Sequence, residues 1–194
     1  MKHLIILVIL LTTLAFSTSE AADFSKYKQH TRYDNHFRKY SKRFFGAAFD
    51  WHYFKAQAVA ESNLNPEAQS HVGAQGVMQI MPRTFDEIKN KSKLIGGSAT
   101  EPRWNIAAGI WYNKQQFDFW QKGRTLEERL KFMYGSYNAG RGNLLKAQRQ
   151  AINAGLSPRH WVSIAQVLSK VTGQRSQETI DYVEKIFTIK EDIK

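Results

Sequence analysis

Apolar residues in this chain return at intervals of three and four, in runs closed by glycine or proline. That period builds helices, and it leaves little room for two-residue alternation that would make strands. Ile106, Ile110, Asn113, Phe117 and Trp120 form one stripe, and Leu126, Leu130, Met133 and Tyr137 form another that ends at Gly140. Leu144 to Ile152 is a further run, stopping at Gly155. Ser157-Pro158 opens a helix carrying Trp161, Ile164, Ala165 and Leu168, and the last helix starts near Gln177 with Ile180, Val183 and Phe187. Thr125-Leu126-Glu127-Glu128 reads as a capping box, in which the threonine and the glutamate three places on satisfy each other's backbone donors. Asp34 and Asp50 are placed to cap two earlier helices, and Pro82 to begin a short one. The expectation is an all-α fold with one small irregular or β element between Asn63 and Pro82, where apolar content thins and Gly73 and Gly76 appear.

The helix that opens after Asp50 places Phe54, Ala58 and Glu61 on one face. A carboxyl on the apolar side of a helix either finds a partner or holds its proton, because burial disfavours the charged form. A glutamate protonated near neutral pH is equipped to act as a general acid. Asp86, Glu87 and Glu101 are the other acids nearby in sequence, and no motif sets one of them opposite Glu61.

The first residues are a processing segment. Met1-Lys2-His3 is basic, Leu4 to Phe16 is almost uninterrupted apolar sequence, and Ser19 and Ala21 suit a cut before Ala22. The apolar stretch is shorter than the ~20 residues of a spanning helix. The expected organisation is a signal peptide over 1–21, an N-terminal extension over 22–36, either ordered or a loose basic leader, and a catalytic domain over 37–194. The protein is then periplasmic or secreted. The chain contains no cysteine, which excludes disulfides, thiolate catalysis and a cysteine-linked lipid anchor. Its formal charge is +11, which removal of one base and one acid with residues 1–21 leaves unchanged. An exported basic protein suits a polyanionic partner such as cell wall. Lys89, Lys91 and Lys93 form a modest cluster, but nothing beyond net charge favours nucleic acid. His52, His71 and His160 lack metal-ligand spacing, so neither metal nor cofactor is expected. Trp51, Trp111, Trp120 and Trp161 read as packing residues.

Glu61-Ser62 begins a stretch that continues through Pro66, Ala68 and Ser70 to Gly73-Ala74, Gly76, Met78-Gln79 and Met81-Pro82. Its residues and spacings resemble the signature of lytic transglycosylases of the soluble type, glycoside hydrolase family 23. Asn105-Ile106-Ala107-Ala108-Gly109, Tyr137-Asn138-Ala139-Gly140 and Glu178-Thr179-Ile180-Asp181-Tyr182-Val183 resemble three further motifs of that family, in order. The likeness spans about residues 34–190 and is greatest to the catalytic module of the membrane-bound F type. Val77, Ser136 and His71 depart from the pattern without removing a catalytic group.

The resemblance implies a goose-type lysozyme-like fold and cleavage of the β-1,4 bond between N-acetylmuramic acid and N-acetylglucosamine in peptidoglycan. It implies that Glu61 acts first as acid and then as base, giving a 1,6-anhydromuramyl end. It assigns substrate binding to Ser70, Met78, Gln79, Tyr137, Asn138, Glu178 and Tyr182, with peptidoglycan strands as partner and a monomer as the working form. A lysozyme-type muramidase and a non-catalytic wall-binding or secretion-assembly protein are the two other readings.

Overall fold

The structure is a computed structural model that describes residues 23–194; the expected signal peptide lies outside them. A 3-10 turn at Ser25–Lys28 precedes eight α-helices among the described residues: α1 (Asp34–Phe45), α2 (His52–Ser62), α3 (Pro82–Lys91), α4 (Pro102–Phe119), α5 (Leu126–Ala139), α6 (Arg141–Asn153), α7 (Trp161–Thr172) and α8 (Arg175–Ile193). β structure among these residues is limited to two isolated antiparallel bridges, Gln69 with Gln75 and Gln75 with Ile80.

Helix α2 is the centre of the molecule. Phe54, Ala56, Ala58 and Val59 are buried around most of its circumference, as expected of a helix packed on several sides. It lies against α8 and α1, while α4 packs on α1 and α5, and α5 on α6 and α8. The buried Lys55 Nζ sits 2.9 Å from Asp34 Oδ1, which ties α2 to the start of α1. A buried ion pair of this kind holds register more than it adds stability, because desolvation offsets much of the attraction. Helix α1 starts at Asp34 and so runs across the expected boundary at residue 37. Ahead of it, Tyr27 is buried and donates its hydroxyl to Asn63 Oδ1 at 2.7 Å, and the Phe24 amide donates to Asp192 on α8.

Several expected helix ends differ in detail. Asp34 is the first residue of α1 rather than its cap, since its carboxylate faces Lys55. Asp50 does accept from the first amide of α2, His52 N at 3.0 Å. Only half of the capping box forms: Thr125 accepts from Glu128 N, but the Glu128 carboxylate accepts from Trp161 N at 2.6 Å. That carboxylate caps the N-terminus of α7, where the helix dipole favours an anion, and α7 begins at Trp161 rather than at Pro158. Leu126, read as part of an inner stripe, is exposed at the first position of α5.

Candidate active site

The end of α2 is shaped by its C-cap. Asn63 takes a left-handed conformation and Leu64 follows with positive φ, so the chain leaves the helix sharply just past Glu61. Ser62 fastens the returning loop by donating to Val77 O at 2.8 Å. Asn105 on α4, fully buried, holds that loop from beneath. Its Oδ1 accepts from Met78 N at 2.7 Å, and its Nδ2 donates to Gln75 O at 2.9 Å and Ala99 O at 2.7 Å. Two glycines permit this approach. A Cβ on Gly76 would stand 2.8 Å from Asn105 Nδ2, and one on Gly109 would stand 2.9 Å from the Met78 side chain. The sequence motif around Asn105 and Gly109 thus supports the loop that carries Met78 and Gln79.

The loop, α2, α5 and α8 enclose a cleft of about 760 Å³. Glu61, Ser70, Gln79, Tyr137, Asn138, Glu178 and Tyr182 all line it, so seven of the eight residues singled out in the sequence come together. Met78 is the exception. It is fully buried against Gly109, and it serves the cleft through its backbone, whose carbonyl accepts the Tyr137 hydroxyl at 2.7 Å. The Met78 side chain, expected to bind substrate, does not line the cleft. Gln79 holds a positive φ and donates through Nε2 to Ala68 O and Gly76 O, which fixes the loop's shape. Ser70 Oγ accepts from Ala74 N at 2.9 Å. Asn138 accepts from Thr179, joining α5 to α8. Glu178 stands exposed at the rim.

Glu61 lies at the centre of this arrangement, half-buried at the cleft wall. Burial lifts its pKa from 4.5 to about 8, against a lowering by the Tyr182 hydrogen bond; the Glu178 charge raises it further and the Lys185 charge lowers it. Tyr182 donates its hydroxyl to Glu61 Oε1 at 2.5 Å. Behind Tyr182 is a chain of buried polar groups whose pairing the sequence does not show. Asn113 Nδ2 donates to Gln57 Oε1 at 2.6 Å, and Gln57 Nε2 donates to the Tyr182 oxygen at 3.0 Å. Because the Tyr182 oxygen already accepts from Gln57, its own proton is directed at Glu61 Oε1. Oε1 is thereby an acceptor, and the acidic proton belongs on Oε2. Burial keeps the hydroxyls of Tyr137 and Tyr182 protonated, with pKa values well above 10.0.

Asp181 and Lys185 also line the cleft. Both were legible in principle, since Glu178, Asp181, Tyr182 and Lys185 follow the i, i+3, i+4, i+7 spacing of one helix face. Gln57 carries no such signal and Asn113 shows only as a member of the inner stripe of α4, because the partner of a buried amide is not marked in the sequence. Among the described residues no group of three His, Cys, Asp or Glu side chains is disposed to hold a metal ion.

A family model for the transglycosylase SLT domain matches residues 40–157. Membrane-bound lytic murein transglycosylase F of Desulfosudis oleivorans is 32% identical over 154 residues, which cover 72% of this chain and 32% of that protein. The protein of the same name from Haemophilus influenzae is 29% identical over 69% of this chain and 26% of its own length. The chain thus spans about a third or less of the curated relatives it matches. The crystal structure of the 70 kDa soluble lytic transglycosylase of Escherichia coli superimposes with a TM-score of 0.65 at 25% identity, over 84% of this chain and 24% of that one. Its lysozyme-like fold is the fold found here. The match to the domain model over most of the helical core, with Glu61 and its supporting loop inside it, places this chain in the SLT transglycosylase domain family.

Proposed function

We propose that the protein is an exported lytic transglycosylase that cleaves the β-1,4 bond between N-acetylmuramic acid and N-acetylglucosamine in peptidoglycan and leaves a 1,6-anhydromuramyl end. The observation that carries the reading is the placement of Glu61: a carboxyl in the wall of a cleft, held by the Tyr182 hydroxyl, with burial raising its pKa to about 8. Most glycosidases set a second carboxylate across the scissile bond as nucleophile or as base for water. The residues that the 70–81 loop brings to this cleft include no carboxylate, and the lining acids Glu178 and Asp181 both stand on α8, the helix of Tyr182.

In the proposed cycle Glu61 gives its proton to the glycosidic oxygen as the bond to the anomeric carbon breaks, and the substrate's acetamido group assists at that carbon. The Glu61 carboxylate, still held by Tyr182, then takes the proton of the muramic acid C6 hydroxyl. O6 closes on the anomeric carbon, Glu61 is protonated again, and no water is consumed. Tyr137 and Gln79 flank the reacting centre. Smaller hollows adjoin the cleft, one sharing His71, Val72, Asn138 and Glu178 and one sharing Gln79, Met81 and Tyr137, which suits an extended glycan.

Digestion of purified peptidoglycan followed by mass spectrometry tests the proposal. Anhydro products are expected, one water lighter than reducing muramic ends. Reducing ends would instead make the protein a muramidase, and absence of cleavage would favour a wall-binding role. Export rests on the signal-like residues 1–21; among the described residues no helix is long and apolar enough to cross a membrane.

A further inference from the structure

A second cavity, of about 450 Å³, opens between α1, the start of α4 and the loop joining α3 to α4, and it shares no lining residue with the cleft. Lys39, Lys42, Arg43 and Arg103 line it, with Tyr40, Phe44, Leu94 and Trp104 as its apolar wall. No carboxylate is among these residues, and none of the four cations forms a salt bridge among the described residues. The nearest acid in sequence, Glu101, is engaged by Ser98, whose amide donates to Oε1 at 2.9 Å. The half-buried His36 on α1 registers the local field: its pKa is lowered first by burial and then by the charges of Arg103 and Lys39.

Arg103 is held as a receptor would hold it. Its Nε donates to the Tyr40 hydroxyl at 3.1 Å, and its guanidinium lies 4.3 Å from the centroid of the Trp104 ring. Trp104 is itself fixed, with Gly97 so close that a Cβ there would stand 2.1 Å from the indole. The Nη1 and Nη2 groups of Arg103 have no partner among the described residues. Arg103 is exposed, and a stacked guanidinium whose terminal fork is free has the geometry for two-point recognition of a planar oxyanion.

We propose that this cavity binds stem-peptide carboxylates of peptidoglycan on a stretch of wall other than the one in the cleft, and so holds the enzyme on its polymer. The proposal rests on the functional reading above, because that reading supplies a substrate rich in free carboxylates. The aliphatic parts of such peptides suit Phe44 and the exposed Leu94. Lys93, adjacent to Leu94, and Lys91 extend the positive surface along the chain.

The test measures binding of the full Glu61→Gln chain to purified sacculi with intact stem peptides and to glycan strands stripped of peptides by an amidase. Adding Arg103→Gln is expected to weaken binding to intact sacculi about fivefold, with little change on stripped strands. Lys42→Glu, at an exposed position that leaves the Arg103 contacts in place, is expected to weaken it in the same sense. With Glu61 present, Arg103→Gln should leave the turnover of a short soluble glycan unchanged. Unaltered affinity of both variants for intact sacculi overturns the proposal. An equal loss on stripped strands overturns it too, as does competition by polyphosphate but not by free stem peptide. A chain that binds sacculi through Arg103 yet releases no anhydro product would overturn the proposed activity and leave this site standing.

Discussion

Replacing Glu61 with glutamine should make the protein more stable, increasingly so as pH rises. In the unfolded chain the carboxyl titrates near 4.5, whereas in the folded protein burial raises its pKa to about 8. Below pH 4.5 both states hold the proton and the group has no effect on the balance. Between those values the folded state keeps a proton that the unfolded state releases, so rising pH favours unfolding; above about 8 the loss levels off. The interval from 4.5 to about 8, at about 1.4 kcal/mol per pH unit, sets a ceiling of about 5 kcal/mol. Solvent in the cleft reaches the half-buried carboxyl, so about half of that is expected. The amide has the same shape, can accept from Tyr182, and does not titrate. For a chain of this size, the Tm of Glu61→Gln should exceed that of the native protein by about 5–10 °C at pH 8.5 and by little at pH 4.5. Scanning fluorimetry of both proteins from pH 4.5 to 9 at fixed salt isolates the effect, because the two proteins differ in a single titrating side chain. A difference that stays flat across that range would refute the burial argument.

Three further outcomes follow from the same geometry. Tyr182→Phe removes the donor that favours the Glu61 carboxylate, so the basic limb of the kcat/KM profile should move to higher pH by about one unit while the rate falls about tenfold. Gln57→Leu leaves the Tyr182 hydroxyl free to turn away from Oε1; kcat should fall several-fold with KM little changed, whereas a purely structural role would leave kcat and its pH dependence as they are. Gly109→Ala forces Met78 outward and with it the carbonyl that anchors Tyr137, and urea denaturation should show a loss of about 1–3 kcal/mol together with reduced activity.

The helices were legible because their stripes are long and their stops are glycines, as at Gly140 and Gly155. The ends were less so. Glu128 could cap its own helix or another, and sequence spacing sees only the first; Trp161 N, 33 positions away, takes it. The cleft was legible wherever a motif residue lines it, as with Glu61, Gln79, Tyr137 and Tyr182. Met78 shows the limit of that reading, because a motif position can persist for its backbone carbonyl and its fit against Gly109 while its side chain never meets solvent. Gln57, Asn113 and Arg103 show the other limit. Each acts through a partner on another helix, and the sequence gives no sign of which helix faces it.

A single carboxyl that serves as acid and then as base must not be held too firmly in either state. Burial alone would lock the proton on Glu61, and the nearby Glu178 charge pushes the same way; the Tyr182 hydrogen bond and the Lys185 charge oppose both. The result, a pKa raised from 4.5 toward about 8, keeps a sizeable protonated fraction near neutral pH. That fraction would supply the proposed acid step, and the proposed base step would return the group to its protonated form. A lower pKa would starve the first step, and a higher one would make the proton costly to give. Gln57 and Asn113 serve this balance through Tyr182, since they aim the hydroxyl that, in the proposed cycle, would keep the carboxylate from being an unpaired buried charge between the two steps.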